Sequence, residues 1–219
     1  MRAPYLFFDL DGTISNSAKG ITNAVTYALE HMGITPPAKQ DLMHFIGPPL
    51  IRTFTADYDL SPEDGARAVA FYREYYNVQG VYECEMYRGV GNLLKQLHEA
   101  GYRMVLATCK PAVMAKVVLE YFGISGYFEM VSGPELDGTR NEKHQVIAYA
   151  LEQLGIDDPR NALMIGDRRD DVLGAKMCGL RCLGVLWGYG SEAELRESGA
   201  ENLAHTTAEL QKLIENWTV

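Results

Sequence analysis

The stretch Tyr5-Leu6-Phe7-Phe8-Asp9-Leu10-Asp11-Gly12-Thr13 restricts the fold more than any other part of the chain. Four apolar residues in succession, with no polar alternation, are the pattern of a strand covered on both faces, as in the middle of a parallel sheet. The run ends in two carboxylates two positions apart, then Gly12 and Thr13. Asp9 and Asp11 are expected to project from the carboxyl end of the strand, where ligands bind in open α/β sheets. Gly12 lets the chain turn sharply away. Carboxylates this close repel each other, and a cation, a proton or both must offset the charge. A hard divalent ion with oxygen ligands, such as Mg2+, meets that need. Taken alone, Asp-Leu-Asp-Gly reads equally well as an ordinary acidic turn. The apolar strand before it and Thr13 after it favour a functional site.

The rest of the chain supplies the other layers. Ser15 to Gly20 is small and polar and reads as a loop. Ile21, Ala24, Val25, Ala28, Leu29 and Met32 then recur at helical spacing until Gly33. Shorter helices are expected at 39–45 and 50–57, and Ser61-Pro62 opens another that carries Tyr72, Tyr75 and Tyr76. Residues 16–85 are therefore expected to form an inserted α-helical domain, and 1–15 with 86–219 the main one. From Gly89 onward apolar runs alternate with helical patterns. Strands are expected at 103–107, 128–131, 162–165 and 182–186, with a short extended piece near Asn202. The fold class is α/β, a doubly wound parallel sheet with helices on both faces. Both crossings between the domains read as flexible connections, which suits a lid over a site.

Polar residues gather at the ends of these strands. Beside Asp9 and Asp11 stand Thr108-Cys109-Lys110, then Gly166-Asp167-Arg168-Arg169-Asp170-Asp171, with Lys143 in the first turn of a helix. Each has a bland reading. Thr108 alone is a strand-end residue, Lys143 a solvated lysine, and Asp170 and Asp171 acids that favour a helix start. Their common placement at one sheet edge favours a single site. Phosphoryl transfer calls for such a set, because charge spread over the equatorial oxygens needs cations and donors around it and a nucleophile in line.

Phe8-Asp9-Leu10-Asp11-Gly12-Thr13 resembles the first motif of the haloacid dehalogenase-like phosphohydrolases, and Thr108, Lys143 and Asp167/Asp171 in Gly-Asp-x-x-x-Asp resemble the other three. The resemblance covers the whole chain, with the helical insert at the place of the family's C1-type cap. It implies that Asp9 attacks phosphorus to form an aspartyl-phosphate, and that Asp11 is the general acid/base. It implies Mg2+ on the Asp9 carboxylate, the Asp11 backbone carbonyl and Asp167, with Asp171 behind them, acting through water or by holding Lys143. Gly12, Thr108, Cys109 and Lys143 would bind phosphate oxygens, Cys109 through its backbone. Two positions depart from the pattern: Cys109 replaces the Asn or Ser common after the Thr, and Asp170 replaces an Asn and adds negative charge. Dehalogenation is disfavoured, since it has no use for an acid at position 11.

Phe45-Ile46-Gly47-Pro48-Pro49-Leu50, Leu136-Asp137-Gly138-Thr139-Arg140 and Trp187-Gly188-Tyr189-Gly190 look like the 5'-nucleotidase group, near the phosphoglycolate phosphatases. The reading is a phosphomonoesterase for nucleoside 5'-monophosphates, with phosphoglycolate or another small organic phosphate as the alternative and a phosphomutase behind it. A phospho-accepting receiver or an inactive binding protein is the reading outside enzymes. Arg52 reads either as a substrate contact or as an exposed cation. The three tyrosines read as a base-stacking surface or as packing within the helices. A net charge of −9 without a basic run disfavours nucleic acid polymers and anionic membranes. Four cysteines without a Cys-x-x-Cys pair, no basic-then-apolar leader and no span of about 20 apolar residues give the expectation of a cytoplasmic protein. The sequence does not set the oligomeric state.

Overall fold

The first strand lies inside a parallel sheet. In a computed structural model, which describes residues 5–217, β1 (Tyr5–Phe8) is flanked on one side by β4 (Arg103–Ala107) and on the other by β6 (Ala162–Gly166). Outside them lie β5 (Phe128–Ser132), β7 (Arg181–Val185) and β8 (Asn202–Ala204), and α4 (Val90–Glu99) and α5 (Ala112–Tyr121) precede β4 and β5 in the chain. Among the described residues the sheet has six strands in the order β5-β4-β1-β6-β7-β8, all pairs parallel. The chain builds outward from β1 in one direction and then in the other, so β1 stands where a doubly wound sheet leaves its crevice.

Apolar residues at every position of β1 serve two faces. Tyr5 and Phe7 join Val105, Ala107, Ala162 and Met164 in one core. That core is covered by Val146, Ile147 and Ala150 of α6 (Lys143–Leu154) and by Val172 and Ala175 of α7 (Arg169–Met177). Leu6 and Phe8 alternate to the opposite face and are also fully buried, with Phe8 edge-on to Phe128 at a centroid distance of 6.4 Å. Register places the strand ends together. Phe8 is level with both Leu106 and Ile165, so the chain leaves the sheet at one height at Asp9, after Ala107 and after Gly166.

The chain divides into two units: the part up to Asn16 with the part from Met86, and Ser17–Glu85. The second unit is helical. It contains α1 (Ala18–His31), α2 (Leu50–Asp57) and α3 (Pro62–Tyr76), which Ser61 caps by accepting the Asp64 N–H. Tyr72 and Tyr76 are buried there and stacked on each other at 5.2 Å. Tyr75 donates its hydroxyl proton to Glu83. The tyrosines at helical spacing thus pack within this unit.

Several elements differ in detail from the sequence expectation. Residues Lys39–Phe45 form a 3-10 helix, since only a short run separates Pro36-Pro37 from the Gly47-Pro48-Pro49 break. The piece near Asn202 is the edge strand β8. Ser15–Asn16 and Glu85–Met86, expected as connections, are the two-residue strands β2 and β3 of a separate two-stranded sheet. Two or three residues are too few to show a period in sequence. No helix among the described residues is long and apolar enough to cross a membrane.

Phe7→Ala is expected to lower stability by about 3–5 kcal/mol, because its burial on β1 is complete. Val78→Ala, at an exposed position, should change it by no more than about 0.5 kcal/mol. Urea denaturation followed by circular dichroism checks both, and comparable losses would mean that β1 does not sit at the centre of the core.

Candidate active site

The site begins with a tight turn. After β1, the amide groups of Thr13, Ile14 and Ser15 all donate to the Leu10 carbonyl, and Gly12 donates to Ser15. Gly12 has φ +94°, and a Cβ there would lie 2.1 Å from an Asp167 oxygen. No other residue type suits both the conformation and the space. This turn presents Asp9 and Asp11 side by side, both largely buried.

Lys143, at the start of α6, reaches Asp9. Its ammonium donates to Asp9 Oδ1 at 2.7 Å and to the Ala107 carbonyl at 2.9 Å, and pairs with Asp171 Oδ1 at 2.7 Å. Gly174 of α7 makes the approach possible, since a Cβ there would meet the Lys143 stem at 2.7 Å. Burial works against the Lys143 charge, but Asp171 and Asp9 outweigh it and hold the pKa well above the usual lysine value. Asp171 accepts the Arg168 N–H at 3.1 Å with its other oxygen, so both of its oxygens are committed. Asp170 is half-buried beside it.

Asp167 differs from the other carboxylates. It is fully buried, and it accepts hydrogen bonds from the Thr13 hydroxyl at 3.1 Å and the Tyr189 N–H at 2.8 Å. No ammonium or guanidinium contacts it among the described residues. Burial first, then Asp171 and Asp9, push its pKa well above the carboxylate range. Asp9 is pushed up to about 6, chiefly by burial, with Lys143 pulling the other way. Oxygens of Asp9, Asp167 and Asp171 lie within 4.8 Å of one another, close enough to share a cation.

Thr108 is buried after β4, and its hydroxyl accepts the Lys110 N–H at 3.1 Å. The Cys109 thiol is pushed up to about 12 by burial and stays neutral. The structure thus brings Asp9, Asp11, Gly12, Thr108, Cys109, Lys143, Asp167 and Asp171 to one edge of the sheet.

Other residues of this edge stand within the stretches singled out in the sequence but were given no contact there. Lys110 donates to Asp11 Oδ2 at 2.6 Å and is only 8% exposed. Thr13 and Tyr189 hold Asp167, and the Trp187 indole N–H donates to the Thr13 carbonyl at 3.0 Å. Gly188 and Gly190 let the loop after β7 lie against Asp167, where a Cβ would meet it at 2.4 and 1.9 Å respectively. The position of Lys110 directly after Thr108-Cys109 was the available signal; the loop contacts had none. Taken together, the buried charged side chains among the described residues are Asp9, Asp11, Asp167, Asp171, Lys110 and Lys143, and all belong to this site. Four carboxylates face two ammoniums, which leaves a deficit that one divalent cation would balance.

The family described as haloacid dehalogenase-like hydrolase matches residues 6–185. A 5'-nucleotidase of Pseudomonas aeruginosa is 39% identical over 216 residues, 99% of this chain and 97% of that protein. The tyrosine-protein kinase PtkA of Mycobacterium tuberculosis is 39% identical over 185 residues, 84% of this chain but 62% of that protein. A phosphoglycolate phosphatase of Vibrio vulnificus is 29% identical over 215 residues, 94% of each chain. Among solved structures, one described as a predicted phosphatase from Clostridium acetobutylicum superposes with a TM-score of 0.95 at 39% identity, covering 99% of this chain and 100% of that one.

The raised carboxylates tie stability to pH. Between the ordinary value of 3.8 and about 6, folded Asp9 keeps a proton that the unfolded chain releases. Metal-free stability therefore falls as pH rises through that window and stays lower above it; Asp167 acts in the same direction. A cation shared by these oxygens would take the place of the proton. Mg2+ is expected to raise the melting temperature more at pH 7.5 than at pH 4.5, read by differential scanning fluorimetry. Equal rises at both values would remove these carboxylates from the cation site.

Proposed function

The chain belongs to the haloacid dehalogenase-like hydrolase family and has phosphatase and 5'-nucleotidase relatives, and from that premise we propose that it is a Mg2+-dependent phosphomonoesterase for nucleoside 5'-monophosphates. The observation that carries the reading is Asp167. It is a buried carboxylate without a cationic partner among the described residues, with its pKa pushed up, and its oxygen lies close to those of Asp9 and Asp171. Such a group calls for a cation, and an all-oxygen donor set suits Mg2+. The Asp9 carboxylate, the Asp11 backbone carbonyl and Asp167 would hold it, while Asp171 keeps Lys143 in place. When bound, Mg2+ would offset these charges and that of a phosphate oxygen.

Asp9 attacks phosphorus, its orientation fixed by Lys143 at Oδ1. As the bond to the leaving alkoxide breaks, Asp11 gives that oxygen a proton. Asp11 then takes a proton from water, which attacks the aspartyl-phosphate and restores Asp9. The Thr108 hydroxyl accepts from Lys110 and keeps its own proton to donate to a phosphate oxygen. The Cys109 backbone offers an amide donor near it, while the Gly12 N–H, bonded to the Ser15 carbonyl, would have to exchange that bond to reach phosphate. Lys143 already donates to two carboxylates and a carbonyl, so its contact to phosphate requires the exchange of one of these bonds.

Nucleotide preference is supported by the 5'-nucleotidase relative, which this chain matches along almost all of both lengths. Phosphoglycolate is the alternative, supported by the phosphoglycolate phosphatase relative. Ser17–Glu85 is the counterpart of the family's cap in this reading. Four free thiols support a reducing, cytoplasmic setting.

Phosphate release from nucleoside monophosphates, phosphoglycolate and sugar phosphates, with Mg2+ and with EDTA, tests the reading. Mg2+-dependent release strongest on one nucleotide class is the expected result. Preference for phosphoglycolate would move the substrate to the alternative, and transfer of label to a tyrosyl peptide in place of water would align the chain with its kinase-named relative. Asp9→Asn should abolish turnover with the fold intact. Asp11→Asn should lose about 100- to 10,000-fold with an alkoxide leaving group and much less with p-nitrophenolate. Equal losses on the two would take Asp11 out of the acid role.

A further inference from the structure

We infer that Lys110 is a positioning residue for Asp11: it pins one carboxylate oxygen and leaves the other as the single proton carrier. This inference rests on the reading of Asp11 as the acid/base.

The two lysines of the site divide the carboxylates between them. Lys143 is shared by Asp9, Asp171 and the Ala107 carbonyl. Lys110 donates to Asp11 Oδ2 at 2.6 Å, with both side chains about nine-tenths buried. A charge-assisted bond this short is among the strong ones. Asp11 Oδ1 is buried and accepts no hydrogen bond. A buried carboxylate oxygen without a donor is costly, and its place on the acid/base residue gives it a use.

Lys110 is itself held firmly. Its N–H donates to the Thr108 hydroxyl. A Cβ on Gly133 would lie 2.6 Å from the Lys110 carbonyl oxygen, so the neighbouring strand exit closes on this backbone. The ammonium therefore approaches Asp11 from a fixed origin. Without it, the carboxylate could turn about its Cβ–Cγ bond and offer either oxygen at varying positions. With it, rotation would break a buried ion pair, which is strongly unfavourable. A proton donor must stand within hydrogen-bond reach of the leaving-group oxygen, and a displacement of about 1 Å is enough to cost a large factor in rate. Lys110 gives no proton in either half of the reaction. The proton that leaves with the alcohol comes from Asp11, and the one that restores Asp11 comes from water.

The test compares AMP with p-nitrophenyl phosphate (an alkoxide against a good leaving group) in Lys110→Met, Asp11→Asn and the double variant. Lys110→Met should lower kcat on AMP by about 10- to 100-fold and on p-nitrophenyl phosphate by less than about threefold. In the Asp11→Asn background the same substitution should lower kcat on AMP by less than about twofold, since both act through one carboxyl group. Equal losses on both substrates, or a full additional factor in the double variant, would overturn the inference and show a merely structural lysine. Should Lys110→Met fail to fold, Lys110→Gln, neutral and too short to pin Asp11 in the same way, stands in for it, and the same split between substrates is required of it. Asp11→Asn reports separately on the underlying reading. If that variant discriminates between the leaving groups and the Lys110 variants do not, the positioning role alone is lost. If Asp11→Asn shows no discrimination, the acid/base reading falls and the Lys110 role with it.

Discussion

The structure depends on keeping six charged side chains out of water at one edge of a sheet. Isolated buried charges are prohibitive, and buried ion pairs are tolerated only when geometry and further hydrogen bonds offset desolvation. Here each carboxylate has fixed donors. Asp9 has Lys143, Asp11 has Lys110, Asp171 has Lys143 and the Arg168 amide, and Asp167 has the Thr13 hydroxyl and the Tyr189 amide. These donors come from five separate stretches of chain. The parallel register around β1 brings them to one height, and a slip of one residue would turn the Asp9 and Asp167 side chains to the wrong faces.

Glycines make this convergence sterically possible. A Cβ at Gly12 or Gly188 would occupy space held by Asp167, one at Gly166 would strike Asp171, and one at Gly174 would strike Lys143. Only at Gly12 is a positive φ also required. The others are there for close approach, which local propensity does not signal. Glycine inside α7 lowers helix propensity by about 1 kcal/mol, so its presence at 174 makes sense only through the lysine that passes over it.

Legibility in the sequence followed the range of each interaction. Asp9, Asp11, Asp167 and Asp171 stand at the ends of apolar strands or starts of helices, so a one-dimensional pattern exposes them. Lys143 was visible in the first turn of a helix. Lys110 shares the exit of β4 with Thr108, but its partner lies 99 residues away in Asp11, and no local period encodes that pairing. The Trp187–Gly190 loop could be noticed as a motif, yet its hydrogen bonds to Thr13 and Asp167 arise only when β7 and β1 occupy the same sheet. Within the helical unit, spacing fixed the helices. It did not decide between stacking on a ligand and packing inside for Tyr72 and Tyr76; burial and their mutual stacking do.

The division of ammoniums bears on how the site accepts a phosphate. Asp9 and Asp11, two residues apart, have a lysine each, so their mutual repulsion is offset locally. Asp167 has none, and the uncompensated charge is concentrated where Asp9, Asp167 and Asp171 oxygens converge. A third lysine at that point would stabilise the resting protein, but it would also fix a cation with no free coordination for a phosphate oxygen. A site for a divalent ion would leave the cluster unstable when empty, in keeping with the raised Asp9 and Asp167 pKa values, and would give a bound ion room to meet substrate. In the proposed function, the same carboxylates that weaken the metal-free fold would create the affinity for the ion that meets the phosphate.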